Sequence, residues 1–365
     1  MTIPTEFRLD VIDPRSARAA SVGLTRQVMA ADLVTRGDGP ERGVRCVLLQ
    51  NDILAIEVIV DRGLDVGAAR IRQMPVAWHS PTGMVGPWLL EQRDSEFLRG
   101  FYGGLLTTCG LDHIGPPSDR PASRFGYGHR STEHLPMHGR IGAVPGRLEG
   151  YGVIETAEGL EAFVTGTVTQ VAVFGEHLVL SRRISIRYGS NRVEVSDRVT
   201  NCGYATSPLA VMYHVNLGWP VVAPGARVQV AGSRTTGDAI GDEITPPVQG
   251  SGQKVCTYSI DPDDSGRGTA SIVNARVDRG HSAGVRLTWD AATLPSMVRW
   301  QVANTAGHYV LGLEPSTMKF TSVSPEPGFP SLEPGEARQL GVTIDIERGA
   351  VTNGQSAGSA CVDGA

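Results

Sequence analysis

The sequence predicts an all-β protein built from many short strands, and three observations carry that expectation. The 365 residues include 45 glycines and 23 prolines, which punctuate short segments rich in Val, Ile, Thr and Leu. Hydrophobicity alternates with period two almost throughout residues 150–230, the strand signature. Helix signals are weak, with only short turns expected near 13–20 and 87–100. Large all-β folds run long as single units. No linker or internal repeat divides residues 1–348, so one domain is expected there. Its first 40 residues read as a lead-in, and the Gly/Ser/Ala-rich residues 349–365 as a disordered tail.

The elements follow in order. Residues 44–60 read as a hairpin whose turn is the Asn51-Asp52 pair. Asp61-Arg-Gly-Leu-Asp leads on toward Trp78. Residues 97–115 are glycine-rich, and 116–137 form a loop ending at Met137-His-Gly-Arg-Ile-Gly142. Residues 178–187 and 192–200 make a second hairpin across Tyr-Gly-Ser-Asn. The uninterrupted apolar run Pro208-Leu-Ala-Val-Met-Tyr-His-Val215 reads as one strand covered on both faces. Residues 232–268 read as loop. Strands resume at 270–277, 284–289, 297–303, 309–314 and 337–346.

Apolar residues make up 41% and charged residues 19%, as in ordinary globular proteins. A net charge of -5 without blocks of one sign gives no case for nucleic acid or an anionic membrane. The 5 cysteines are scattered, without C-x-x-C, which argues against a disulfide framework or structural zinc. The N-terminus lacks a signal-peptide pattern, and no apolar run is long enough to span a bilayer. A cytoplasmic location is the expectation. No P-loop, G-x-G-x-x-G, G-x-S-x-G or H-E-x-x-H is present, which argues against nucleotide enzymes and common hydrolases.

Glu314 lies in Tyr309-Val-Leu-Gly-Leu-Glu-Pro-Ser-Thr317. Tyr309, Leu311 and Leu313 alternate with Val310, Gly312 and Glu314, so the carboxylate faces away from the leucines. A glycine two residues before it lets another group approach, and a carboxylate beside such a gap is a candidate acid or base. A salt-bridged strand-end glutamate is the competing reading. His214 sits in the apolar run, either as a satisfied core histidine or as a proton donor and acceptor. Val215-Asn-Leu-Gly-Trp-Pro220 follows it, as if the strand delivers polar groups, Asn216 among them, to a cavity rim. His138 and Arg140 sit between glycines, which suggests backbone packed closely against something. Arg140 offers a planar fork for hydroxyls or a carboxylate, or is simply exposed. Arg62 with Asp65 is a site pair or a strand-end turn. Trp78 and Trp300 are core residues or platforms for a sugar ring. His129, His134 and His138 with Glu133 fit no metal motif, and no metal is expected. Nothing places an activating base beside Cys109.

Three stretches give the chain a family likeness. Leu135-Pro-Met-His-Gly-Arg, the pair of 192–203 and 208–217, and Gly312-Leu-Glu-Pro with Phe329-Pro-Ser-Leu-Glu-Pro-Gly-Glu fall in the order found in the galactose mutarotase-like superfamily of aldose 1-epimerases. Asp61-Arg-Gly-Leu-Asp, Cys109-Gly-Leu and His138-Gly-Arg-Ile-Gly resemble its domain-of-unknown-function 4432 branch more closely. The resemblance covers residues 40–347. It implies a β-supersandwich with a concave sugar-binding face and no cofactor. It also implies Glu314 as base, His214 as acid and His138 as auxiliary histidine in anomer exchange. The family's arginine has no counterpart in Thr107–His113, so Arg62, Arg140 or His113 stands in for it. Loss of that arginine leaves a second reaction open, removal of a carbon-bound proton from an oxidised sugar, and a binding protein without turnover is a third reading. The expected partner is a small sugar, and the assembly considered is a homodimer.

Overall fold

The computed structural model describes residues 22–277, 281–318 and 330–350. Among these, nearly every element is a β-strand, and helical structure is limited to short 3-10 turns. Two large antiparallel sheets dominate. The larger has 11 strands. Its order runs Ala30–Thr35, Arg45–Gln50, Leu54–Ile59, Asp65–Ile71, Leu106–Cys109, Met212–Leu217, Tyr309–Ser316, Ser296–Ala303, Gln253–Ile260 and Gly232–Gly237, with Met74–Pro75 beside Asp65–Ile71. The second has 8 strands, from Arg147–Thr156 through Ala337–Ala350 to Arg227–Val230.

The core lies between the sheets. Val58, Val66, Val215, Leu311 and Leu313 of the larger sheet join Val164, Ile184, Val195, Leu287 and Ile344 of the other in one cluster. Odd-numbered residues of Met212–Leu217 and Tyr309–Ser316 therefore point into the core. Strand alternation turns His214, Asn216, Gly312 and Glu314 to the outer face of the larger sheet. That face is covered as well: every residue of Met212–Leu217 is buried, which is why the run reads as continuously apolar.

Both hairpins form in the expected places. Asn51 closes the first by accepting hydrogen bonds from the Ile53 and Leu54 amides on Oδ1. His177–Arg187 and Arg192–Asn201 pair across the second. Five expectations need correction. The stretch 116–137, read as loop, holds the paired strands Ser118–Pro121 and Thr132–Leu135. The run from Pro208 is not one strand: Ser207–Pro208 pairs with Ser331–Leu332, and a new strand starts at Met212 in the larger sheet. The stretch 232–268, read as loop, holds the strands Gly232–Gly237 and Gln253–Ile260. Both are polar and largely exposed, so neither shows a buried stripe. The lead-in contains Ala30–Thr35, the edge strand of the larger sheet. The last strand extends to Ala350, two residues into the expected tail; the rest of that tail and the turn near 13–20 lie outside the described residues.

Candidate active site

Met212–Leu217 and Tyr309–Ser316 are neighbours near the middle of the larger sheet. Their register pairs Val215 with Leu313 and Met212 with Ser316, which sets His214 directly opposite Glu314. His214 Nε2 lies 3.2 Å from Glu314 Oε1. The approach is not aligned as a hydrogen bond, and neither Glu314 Oε1 nor His214 Nδ1 has a partner. The two side chains are 2% and 4% exposed. Burial raises the Glu314 carboxyl well above the usual carboxylate range. Burial, then repulsion from His138, holds His214 well below the usual histidine range. The same dryness thus favours the uncharged form of each group.

Gly312 is what lets the carboxyl turn back along the strand. A methyl group on Gly312 would run into Glu314 Oε1 and the Trp300 side chain. The gap that the sequence places beside Glu314 is thus filled by that residue's own carboxyl and an indole.

Aromatic rings close the site. The His214 ring lies 5.1 Å from Phe101, 5.5 Å from Trp300 and 5.7 Å from His138. Trp78 stands 5.9 Å from both Trp300 and Phe101, and Phe97 stacks on Phe101 at 4.8 Å and meets His138 at 4.9 Å. Trp78 donates to Gly307 O and Trp300 to Gln253 Oε1, so the outer edge of each indole is anchored. His138 has the left-handed φ of 59, followed by Gly139 at φ 73. The close packing inferred from the flanking glycines is against residues 110–115: a Cβ on Gly139 would strike Gly110 O and His113 O. Burial, then repulsion from His113, pushes the His138 imidazole down to about 3.

The structure brings Glu314, His214, His138, Trp78, Trp300 and Asn216 together. Asn216 is fully buried and donates to the His214 carbonyl at 2.9 Å. It leaves Arg62, Arg140 and His113 engaged elsewhere. The Arg62 guanidinium spends its donors on the carbonyls of Gly142, Val85 and Gly100. Arg140 is held by Glu133 at 2.7 Å and lies 3.6 Å from Asp112. His113 Nε2 bonds to Pro116 O, and burial lowers it to about 4. His134 lies between Asp94 and Asp119, not beside His138. Among the described residues no group of three or more His, Cys, Asp and Glu is placed to hold a metal ion.

Phe97 and Phe101 are the site residues that sequence reasoning missed. Their signal was slight: two phenylalanines four apart in a segment read only as short turns. A cavity of about 30 Å³ beside His138 touches Arg62, Phe97 and Thr108. A larger one, about 540 Å³, lies elsewhere, lined by Tyr258, Arg286 and Arg299 among others, and contains none of the predicted site residues.

Solved structures share this architecture. A provisionally assigned aldose 1-epimerase of Klebsiella pneumoniae aligns with a TM-score of 0.75 at 20% identity, over 87% of this chain and 83% of its own. A galactose mutarotase-like protein of Clostridium acetobutylicum gives 0.60 at 15% identity, over 89% and 99%. Galactose 1-epimerase of Lactobacillus acidophilus gives 0.56 at 14%, over 88% and 99%. At these identities the likeness is one of fold. No curated protein matches the sequence. The family described as Domain of unknown function (DUF4432) matches residues 41–346, a stretch that contains Arg62, His138, His214 and Glu314, and the chain belongs to that family.

Proposed function

We propose that the protein is an isomerase of the aldose 1-epimerase type, exchanging the anomers of a free or modified sugar through Glu314 and His214. The observation that carries this is the pair itself. A carboxyl and an imidazole stand 3.2 Å apart on adjacent strands, buried together on an aromatic-lined face. Fold likeness to aldose 1-epimerases supports the same reading.

Anomer exchange needs one proton taken and one given. A base removes the O1 proton, the O1 electrons form the C1 carbonyl as the C1–O5 bond breaks, and an acid protonates O5. Rotation about C1–C2 presents the other carbonyl face. The reverse transfers close the ring and restore both groups. A neutral carboxyl beside a neutral imidazole holds one transferable proton and one vacant site for it. Burial favours the proton on Glu314, a state in which Glu314 would act as acid and His214 as base. The resemblance to mutarotases assigns the opposite roles. The two assignments have the same total protonation and differ only in which partner holds the proton. The faces of Trp300 and Trp78 suit the C–H groups of a pyranose, and His138 stands beside His214 as a further neutral imidazole.

NMR saturation transfer between the anomers of a sugar panel tests this. Exchange above the uncatalysed rate is expected for at least one sugar, falling about 10²–10⁴-fold in Glu314→Gln and in His214→Asn. If no sugar exchanges faster than in buffer, or Glu314→Gln changes nothing, the reading fails. Solvent deuterium appearing at a sugar carbon would instead assign the pair to carbon-acid chemistry.

A further inference from the structure

Phe101 covers the His214 ring, and Phe97 backs Phe101 as the outer layer of this roof. Both come from the connection between Trp78–His79 and Gly103–Gly104. With the roof in place Phe101 is 6% exposed and His214 and Glu314 are shut off from solvent. The nearby cavity of about 30 Å³ is far below the roughly 300–1,000 Å³ of ligand sites. No sugar fits between the imidazole and the carboxyl as they stand.

We infer that residues 86–99 form a hinged lid that presses Phe97 onto Phe101 and His138 and so holds Phe101 over His214, clamped at its two stems by Arg62 and latched at its tip by His134 through Asp94, and that the lid opens to admit the ligand. This rests on reading His214 and Glu314 as the working pair.

The bonding pattern supports a segment that moves as a unit. Within the lid, Leu89 N bonds to Gly86 O, Leu90 N to Pro87 O, Glu96 N to Arg93 O, and Leu98 N to Ser95 O. Arg99 pairs with Glu96 inside the same segment. Its outer side chains Trp88, Leu89 and Leu98 are exposed. Its hydrogen-bonded and ionic ties to the rest of the described molecule sit at the ends and the tip, while Phe97 packs on Phe101 and His138. Gly86 N bonds to Pro40 O at one end. One Arg62 guanidinium grips Val85 O before the lid and Gly100 O after it, with its third contact on Gly142 O. At the tip Met137 N bonds to Asp94 O, and the His134 ring spans Asp94 at 2.8 Å and Asp119 at 2.7 Å. Asp94 has φ 43, which asparagine also tolerates, so the latch can be removed without recasting the backbone.

Hydrogen–deuterium exchange of the whole chain, read by mass spectrometry without sugar, tests the lid. Peptides covering 86–101 are expected to exchange faster than those of Met212–Leu217 and Tyr309–Ser316. Asp94→Asn is expected to speed the lid peptides alone by about two- to fivefold, the worth of an exposed ion pair. Asp345→Asn, which breaks an exposed pair with Arg192 in the other sheet, leaves them as in the wild type. Lid peptides that exchange no faster than the central strands, or that ignore Asp94→Asn, overturn the inference. The readout needs no turnover. A lid that responds in an inactive protein sinks the isomerase reading alone, and an active protein with an unresponsive lid sinks this one alone.

Discussion

Glu314 owes its chemistry to burial more than to any charge partner. Desolvation is the only cause acting on its carboxyl, and the imidazole opposite is pushed the other way by the same dryness. A pH signature follows. His138 and His214 are bases whose folded pKa values lie below the ordinary one, so only the unfolded chain takes up their protons in mild acid. Their contribution to stability is then full above the ordinary histidine range and falls as pH drops toward about 3 for His138, by about 1.4 kcal/mol per pH unit for each such histidine. Glu314 and Asp65, whose carboxyls burial raises, act in the opposite sense over this range, so the loss is read by comparing the wild type with His138→Asn in denaturant unfolding at pH 7 and pH 5. His138→Asn, which suits the left-handed backbone, should flatten it by one histidine's share, and an unchanged slope would contradict the assignment. Gly312→Ala puts a methyl where Glu314 Oε1 and Trp300 already stand. It should cost about 1–3 kcal/mol by overpacking and lower anomer exchange more than an alanine in an exposed strand does. At this scale much was legible. Alternation put Glu314 opposite Leu311 and Leu313, and Gly312 marked a close approach. That the approaching group is the glutamate's own carboxyl was not legible, because a side chain's rotamer depends on neighbours from other strands.

The two strands that present the pair are short, covered on both faces and paired to each other in register. The apolar run 208–215 announced a buried strand but not its break, since residues 209–211 are as buried as the strand itself. What breaks it is a change of partner, from Ser331–Leu332 to Leu106–Cys109 and Tyr309–Ser316. The aromatic roof is the element that composition hid. Phe97 and Phe101 lie in a mostly polar segment without strand or helix period, and their value comes from the sheet beneath. Phe101→Ala should cost about 3 kcal/mol, at the low end for a buried phenylalanine, and should let water reach His214. The His214 ring signal should then titrate at a higher pH than in the wild type by NMR. If it does not move, the roof is not what keeps the histidine dry.

The two sheets are tied by a buried charge network beneath the site. Arg182 of the 8-stranded sheet donates to Asp197 beside it at 2.8 and 2.6 Å, and across the core to Thr108 Oγ1 at 2.7 Å and Asp65 Oδ1 at 3.3 Å. Asp197 also accepts from the Tyr213 hydroxyl at 2.7 Å, one residue before His214. The network thus seats the histidine strand on the other sheet. Arg182→Met leaves Asp197 buried without its cation and should cost about 3–5 kcal/mol, seen as a lower denaturation midpoint. Arg182→Met with Asp197→Leu should recover part of that loss; no recovery would mean that packing, not the stranded charge, accounts for the cost. Asp65 was read from sequence as Arg62's partner or a turn residue. Its place in this network comes from a strand more than a hundred residues away, which no local pattern could reveal.

By itself the sequence determined that the chain is a many-stranded β structure, that Glu314 and His214 lie on strands, and that Glu314 faces away from the leucines of its strand. Those are consequences of two-residue alternation and of turn chemistry, and both are local. Only the tertiary structure decided that His214 and Glu314 are cross-strand neighbours, that Arg62 is occupied by three carbonyls, and that Phe101, backed by Phe97, covers His214. Strand order and register bring together residues far apart in the chain, and the energy that selects them is the burial of both sheets against each other, which is a property of the whole molecule.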